Sequence, residues 1–511
     1  MKKTSSISLG EVENLKCLTK KIVKGAGITF VGVILGRGLS YVSHIVIARL
    51  LGAELFGLYI LGLSLLNFSA RISNMGLDSG ALRYVSVYNG EGNKGKVKGT
   101  IIQTVGFSFL VGLVVGLALF VSAKWIATVL FRNLELTNII KIFAVGVPFM
   151  ASMNVAAVVT RAFQKMQYAV YINNIYYPVT KLILVILLYL FGLKLYGAIW
   201  ATVSAAVLGL MFAFFYIKKL FPEILAATRP IFGTIELLKF SIPLLFANLS
   251  SFFLMWSDTI ILGYFRPVIE VGIYRAAVQT ALLLELILGA FNWVFAPIIA
   301  NLYHRKELHA IETIFKNTTK WISYLSLPIF LIIIFEAKEI LGIFGVEFTK
   351  GWLVLVIFSF SLFMNNAIGP VGSILTMTGH QNLWFCLCLL TASLNIILNI
   401  SLIPKFGMLG AAIATATAIM LLNSFGLFEV HSILRMLPYD KRYWKGLLAG
   451  LAAFTVAWIL KIFLGDGSIY SFAFVTLSII GVFPLVLLVL KLDPEDKMVF
   501  NTLRAKFFAI R

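Results

Sequence analysis

Charge is scarce in this sequence, and it is lopsided. Charged residues make up 13% of the 511, hydrophobic residues 60%, and the mean hydropathy is +0.95. That balance excludes the soluble globular classes and points to a polytopic membrane protein. Acid is the scarcer sign: 22 Asp and Glu stand against 43 Lys and Arg, for a formal net charge of +21. The bases sit in short loops between apolar runs, where they read as topology signals and as attraction to anionic membrane lipids, so no nucleic-acid partner is expected. Cysteine is nearly missing. Cys17, Cys386 and Cys388 make no disulfide framework, and the last two, within an apolar run, read as packing residues. The five histidines are scattered; only His304 and His309 have ligand-like spacing, in a hydrophilic loop that reads as solvated. No nucleophile stands beside a base, and no cofactor motif is present. Long hydrophilic stretches are also lacking. The longest, Tyr303 to Lys320, reads as a basic connector with at most a short surface helix, so function must lie within the membrane spans and an enzyme is not expected.

What is there is apolar sequence in span-length pieces. Windows of about 20 residues give about fourteen spans. They cover 25–49, 56–84, 98–122, 138–161, 169–191, 196–218, 238–264, 271–302, 319–336, 352–377, 383–403, 408–434, 443–464 and 470–490. Roughly 29 of the basic residues fall on the N-terminal side of the membrane and about 11 on the other, a positive-inside bias that places both termini in the cytoplasm of a cell (plasma or inner) membrane. The first two dozen residues, with Lys2, Lys3, Lys16, Lys20, Lys21 and Lys24, lead straight into a full-length span, so no cleavable signal is expected.

The spans repeat. Leu51-Gly-Ala-Glu-Leu-Phe-Gly-Leu-Tyr59 after the first resembles Leu262-Gly-Tyr-Phe-Arg-Pro-Val-Ile-Glu-Val-Gly-Ile-Tyr274 after the seventh. Tyr196-Gly-Ala-Ile-Trp-Ala-Thr202 likewise resembles Leu409-Gly-Ala-Ala-Ile-Ala-Thr415. The expected organisation is a cytoplasmic segment (1–24), an N-lobe of spans 1–6 (25–225), a C-lobe of spans 7–12 (226–436), two extra spans (437–492) and a cytoplasmic tail (493–511). Six spans per copy make the copies parallel. Parallel repeats flanking a cleft are a transporter architecture that works by alternating access.

Two long apolar segments near the start carry arginine in their interiors. Arg37, Ser40, Tyr41 and His44 share one helical face; Ser64, Asn67, Arg71, Asn74 and Asp78 share another. An arginine at mid-membrane costs on the order of 3 kcal/mol, so both stripes are expected to face a wet cavity that binds an anion. The plain alternative is snorkelling or an internal ion pair, although Arg71 and Asp78 lie two turns apart. Lys181, on a stripe with Asn174 and Tyr177, and Arg275, at the start of span 8, are further anion-site candidates; the alternatives are a lobe wall and an interface anchor. Arg83 and Arg161 end spans, and topology explains them. Asp258, with Asn248 and Ser251 on its face, and Asn395, Asn399 and Thr415 in spans 11 and 12, offer the oxygens that Na⁺ needs, or a carboxylate for H⁺. Glu285 is a second acid of that kind. For the amides and hydroxyls the alternative is interhelical hydrogen bonding. Gly90-Glu-Gly-Asn-Lys-Gly-Lys-Val97 nearly matches a phosphate loop, but it lacks the final Ser or Thr and follows a membrane helix, so it reads as a flexible basic turn.

Arg37, Ile47-Ala-Arg-Leu-Leu-Gly-Ala-Glu54, Phe56-Gly-Leu-Tyr59 and Ala70-Arg-Ile-Ser-Asn-Met-Gly-Leu-Asp-Ser-Gly-Ala-Leu-Arg-Tyr84 carry a resemblance. The chain resembles the multidrug/oligosaccharidyl-lipid/polysaccharide (MOP) exporter superfamily, and within it the polysaccharide transporter, or O-antigen (Wzx-type) flippase, family. The two six-span copies and the two extra spans extend the resemblance over nearly the whole chain. It implies movement of an undecaprenyl- or dolichyl-diphosphate-linked oligosaccharide from the inner to the outer leaflet; a glycan polymerase or glycosyltransferases are candidate partners, and whether the protein works alone or beside them is left open by the sequence. Related lipid II flippases place cavity arginines in spans 1, 2 and 8. Arg37 and Arg71 fall on the first two, and Arg275 is about a turn from the third. The Na⁺ site that such relatives hold between spans 7, 11 and 12 falls near Asp258, Asn395, Asn399 and Thr415, with Asn399 where an acid is found. His44 stands on the face where lipid II flippases carry a charged residue, which favours another glycan. Two other functions compete. A multidrug/cation antiporter of the same superfamily would want acidic or aromatic cavity walls. A membrane glycosyltransferase or polymerase would want paired carboxylates and a large external loop, and neither is present.

Overall fold

The computed structural model describes residues 9–226, 228–465 and 467–490, apart from the side chains of residues 9–30, 247, 248, 250, 251, 254 and 469. The tail expected over 493–511, and Asn248 and Ser251 as side-chain neighbours of Asp258, lie outside the described residues. Among those residues every regular element is helical, and the chain forms two compact units, Met1–Arg275 and Ala276–Arg511.

The first unit opens with α1 (Leu9–Asn74), which is two helices joined at Gly52. At φ 76° and ψ 173° Gly52 holds a backbone that side chains avoid, and the chain turns there. The apolar stretch Val31–Asn74 has 44 residues. Straight, it would run about 66 Å, twice a bilayer core, so the bend makes a hairpin of two crossings. A second break, at Met75 and Gly76 with φ of 47° and 68°, separates α2 (Leu77–Gly90) from that hairpin. Then come α3 (Lys94–Trp125), α4 (Leu136–Ala162), α5 (Met166–Val170), α6 (Tyr177–Leu190), α7 (Lys194–Leu220) and α8 (Thr234–Phe265), and the boundary of the unit falls within α9 (Val268–Ala281). A π-helical turn, Tyr171–Tyr176, joins α5 to α6. The core helix is α4. It is apolar all round, so it has no solvent face to keep, and it packs on α1, α2, α3 and α7.

The second unit holds α10 (Glu285–His304), α11 (Leu308–Gly342), α12 (Trp352–Ile368), α13 (Val371–Met377), α14 (Gln381–Phe406), α15 (Met408–Leu434), α16 (Tyr443–Leu464) and α17 (Ile469–Val489). Eleven described helices are long and apolar enough to cross a membrane. The α1 hairpin crosses twice, and α8 and α11, of 32 and 35 residues, are long enough too, which gives the expected fourteen passes. The extra pair α16–α17 packs on α11 through Leu331, Ala449, Ala453, Ala457, Val475, Ile479 and Phe483.

Three expectations are corrected. Tyr303 to Lys320 is not a loop with a surface helix: α10 ends at His304 and α11 begins at Leu308, so most of it belongs to a 35-residue helix. Span 8 is not continuous, because α9 and α10 are separated by a turn whose Leu284 carbonyl accepts a 3.0 Å hydrogen bond from Asn366 Nδ2. Cys386 is exposed on its helix and does not pack.

Candidate functional site

Three nitrogen-bearing side chains from three helices converge in the first unit. The fit of α6 on α1 places the first two. A Cβ on Gly32 would overlap Val170, and one on Gly36 would overlap Asn174 in the π turn, so the two helices run side by side in the same direction. Two turns farther on, about 11 Å along each axis, stand His44 on α1 and Lys181 on α6. The third comes from α9. Its first turns lie against the α1 bend, where a Cβ on Gly272 would overlap the Ala53 carbonyl and one on Gly57 the Val268 carbonyl. Arg275 is one turn past Gly272. Lys181 and Arg275 are both close enough to His44 to act on it electrostatically.

All three are buried: relative exposure is 7% for His44, 5% for Lys181 and 4% for Arg275. Among the described residues neither Lys181 nor Arg275 has a salt bridge, and His44 Nδ1 and Arg275 Nε have no hydrogen-bond partner. The ammonium of Lys181 lies 5.9 Å from the centre of the Tyr177 ring, and the Arg275 guanidinium 3.9 Å from that of Trp256. Phe56 meets the His44 ring edge-on at 6.2 Å and stacks on Tyr59, whose hydroxyl is 2.9 Å from Thr202 Oγ1. Buried cations held by aromatic faces and without a matching carboxylate salt bridge make a site ready for an anion.

Asp258 borders this group. It is 2% exposed and within electrostatic reach of Arg275. Its Oδ2 accepts from the Tyr274 hydroxyl at 2.6 Å, and its Oδ1 from the Thr259 amide and hydroxyl at 2.6 and 3.0 Å. The carboxylate thus faces donors.

Arg37 and Arg71 are exposed, Arg37 two turns from His44 along α1 and Arg71 in the hairpin's second arm. The polar stripe around Arg71 divides. Ser64 Oγ donates to the Leu61 carbonyl at 2.7 Å, Asn74 is buried 3.4 Å from Ser108 Oγ, and Asp78 Oδ1 accepts from the Ser79 amide at 2.8 Å. Those three polar groups are used in local and interhelical hydrogen bonds. In the second unit Asn399 Nδ2 donates to Asn395 Oδ1 at 3.0 Å, and Asn395 Nδ2 to Thr415 Oγ1 at 3.1 Å. All three residues are buried, and Asn399 Oδ1 has no partner.

Residues 22–303, more than half of the sequence, match the polysaccharide biosynthesis protein family. The chain belongs to that family. The matched region contains His44, Lys181, Asp258 and Arg275. An uncharacterized membrane protein of Methanocaldococcus jannaschii is 24% identical over 462 residues, 86% of this chain and 90% of its own. The "Probable low-salt glycan biosynthesis flippase Agl15" of Haloferax volcanii is 30% identical over 171 residues, 33% of this chain and 36% of its own. Among solved structures, the lipid II flippase MurJ in an inward closed conformation superposes with a TM-score of 0.72 at 16% identity, over 90% of this chain and 97% of that one. An inward-facing multidrug resistance MATE transporter of the MOP superfamily gives 0.66 at 15% identity, over 80% and 98%. These likenesses establish the all-α polytopic fold expected from the sequence. A lipid flippase and a drug transporter share that fold, so function has to be argued from the site.

Proposed function

We propose that this protein flips a polyprenyl-diphosphate-linked oligosaccharide from the cytoplasmic to the outer leaflet of the cell membrane, as a transporter and not as an enzyme. The observation that supports it best is the convergence of Lys181 and Arg275 on His44, buried and without a carboxylate salt bridge. A diphosphate supplies the charge that such a site lacks. Exposed Arg37 and Arg71, on the hairpin that also carries His44, would guide the headgroup, and the prenyl tail would stay in lipid. The lobes of this carrier are the two six-helix copies, 25–225 and 226–436, with the pair in 437–492 appended. They would work by alternating access with both termini in the cytoplasm, beside the glycosyltransferases or polymerase of the same glycan. Reset would use Na⁺ or H⁺ at Asp258 and at Asn395, Asn399 and Thr415; the unpartnered oxygen of Asn399 favours a role for the last three, and no other cofactor is called for. Purified protein in liposomes tests the reading, by leaflet movement of a polyprenyl-diphosphate oligosaccharide beside a panel of cationic dyes. Movement of the lipid, lost in Arg71→Ala and Lys181→Ala, is the expected result. Movement of the dyes alone would overturn it in favour of a multidrug antiporter.

A further inference from the structure

The anion site combines two cationic side chains with one imidazole. At neutral pH an imidazole is largely uncharged, yet it still offers an N–H donor. His44 is within electrostatic reach of both cations and nine-tenths buried, its ring fixed by the edge contact with Phe56 and one nitrogen unpartnered. Lysine or arginine would reach an anion as readily. What distinguishes histidine here is that it adds a hydrogen bond without adding a charge.

That difference matters for a carrier lipid. A prenyl diphosphate joined to a sugar is a diester with one ionised oxygen on each phosphate, a dianion. The bare prenyl diphosphate is a monoester and, above neutral pH, a trianion. The cost of burying charge grows steeply with its size, so a third negative charge needs a third counter-charge. The buried site offers two cations, which match a dianion, and the one further charge in reach, Asp258, is of the wrong sign. Resting on the diphosphate reading above, we propose that His44 is a specificity residue: as the neutral third ligand it sets the preference of the site for the sugar-loaded diester over the bare monoester. A flippase built this way leaves unloaded carrier in its own leaflet.

The test is paired binding of farnesyl-diphospho-N-acetylglucosamine and farnesyl diphosphate to the purified full chain in detergent near pH 7.5, by calorimetry. The wild-type protein is expected to prefer the diester. His44→Lys adds one charge within a few ångströms of the ligand, which is to shift the ratio of affinities about tenfold toward the monoester. His44→Gln, a neutral donor, is to keep the wild-type ratio. Should the lysine variant fail to fold, His44→Met removes the donor but no charge; it is to weaken both ligands about tenfold and leave their ratio unchanged. A ratio that is the same in wild type and His44→Lys overturns the assignment, as does an unaltered affinity in His44→Met. Failure of the wild-type chain to bind either ligand overturns the diphosphate reading itself, and this inference with it.

Discussion

Gly99 lies so close to Ile231 that a Cβ at position 99 would overlap the Ile231 carbonyl. The contact fastens the segment between α7 and α8 to the start of α3. Ile231 N donates to the Gly95 carbonyl at 2.9 Å, Gly233 N to Gln103 Oε1 at 3.3 Å, and Lys98 Nζ to the Ala226 carbonyl at 2.6 Å. The connector between α7 and α8 is therefore docked on α3. Gly99→Val has no room and should cost about 1–3 kcal/mol, much of it as release of the connector. Limited chymotrypsin digestion reads this as faster cleavage after Phe232, whose side chain is exposed; cleavage at the wild-type rate would mean that the connector is held elsewhere.

The same connector should loosen in acid. The Lys94 ammonium donates to Glu223 at 2.5 Å, and that hydrogen bond holds the Glu223 carboxyl below its usual range. A carboxyl lowered in the folded state contributes stability above its unfolded value and loses it as the pH falls through the folded one. Hydrogen exchange of the residues 222–231, corrected for intrinsic rate, should thus be unchanged from about pH 7 to about pH 5 and rise below the ordinary carboxylate range. Lys94→Met should remove that acid step, and a step that survives the substitution would assign it to another carboxylate.

The Arg275–Trp256 stack makes a separate prediction. With the guanidinium 3.9 Å from the ring centre in a buried setting, the aromatic face is worth about 2 kcal/mol to the position of the charge. Trp256→Leu keeps bulk and loses the face, so affinity for a diphosphate lipid should fall roughly tenfold to thirtyfold. Trp256→Phe should recover part of it. Equal affinity in all three proteins, measured by calorimetry, would make the stack a packing contact.

Much of this was readable in the sequence, and the rest shows where reading stops. Span-length apolar runs announced the passes, and the gap between the first two, 25–49 and 56–84, brackets Gly52, where the hairpin turns. Arg37, Arg71, Lys181 and Arg275 stood out because a charge in a span needs a reason. Their grouping was not legible. Helical periodicity fixes the face a residue takes on its own axis, but not which neighbour meets it, so His44 read as a companion of Arg37 and not of Lys181 and Arg275. The fits at Gly36, Gly57 and Gly272 that bring those helices together depend on tertiary contact, as does the consumption of Ser64 and Asn74 by local bonds. The break between α9 and α10 was invisible because the Leu282–Leu284 turn is as apolar as the helices it separates. Asn366, far along the chain, answers its free carbonyl.

In the second unit, Lys461 on α16 holds two acids of α11. Its ammonium is 3.1 Å from Glu336 Oε1 and 3.2 Å from Glu339 Oε1. The Glu336 side chain is fully buried, at a residue where α11 leaves helical geometry with φ −118° and ψ 22°. The Gly467 amide also donates to Glu339, at 3.3 Å, so the cluster ties the turn after α16 to α11. Lys461→Met strands buried negative charge and should destabilise the second unit by about 3–5 kcal/mol. The triple variant Lys461→Met, Glu336→Gln, Glu339→Gln removes the charges together and should regain most of that loss, because what is costly is the unmatched charge and not the absence of the pair. Thermal unfolding in detergent separates the two outcomes. A triple variant no more stable than Lys461→Met would mean that the lysine acts through packing of its stem against α11, and that the charges are bystanders.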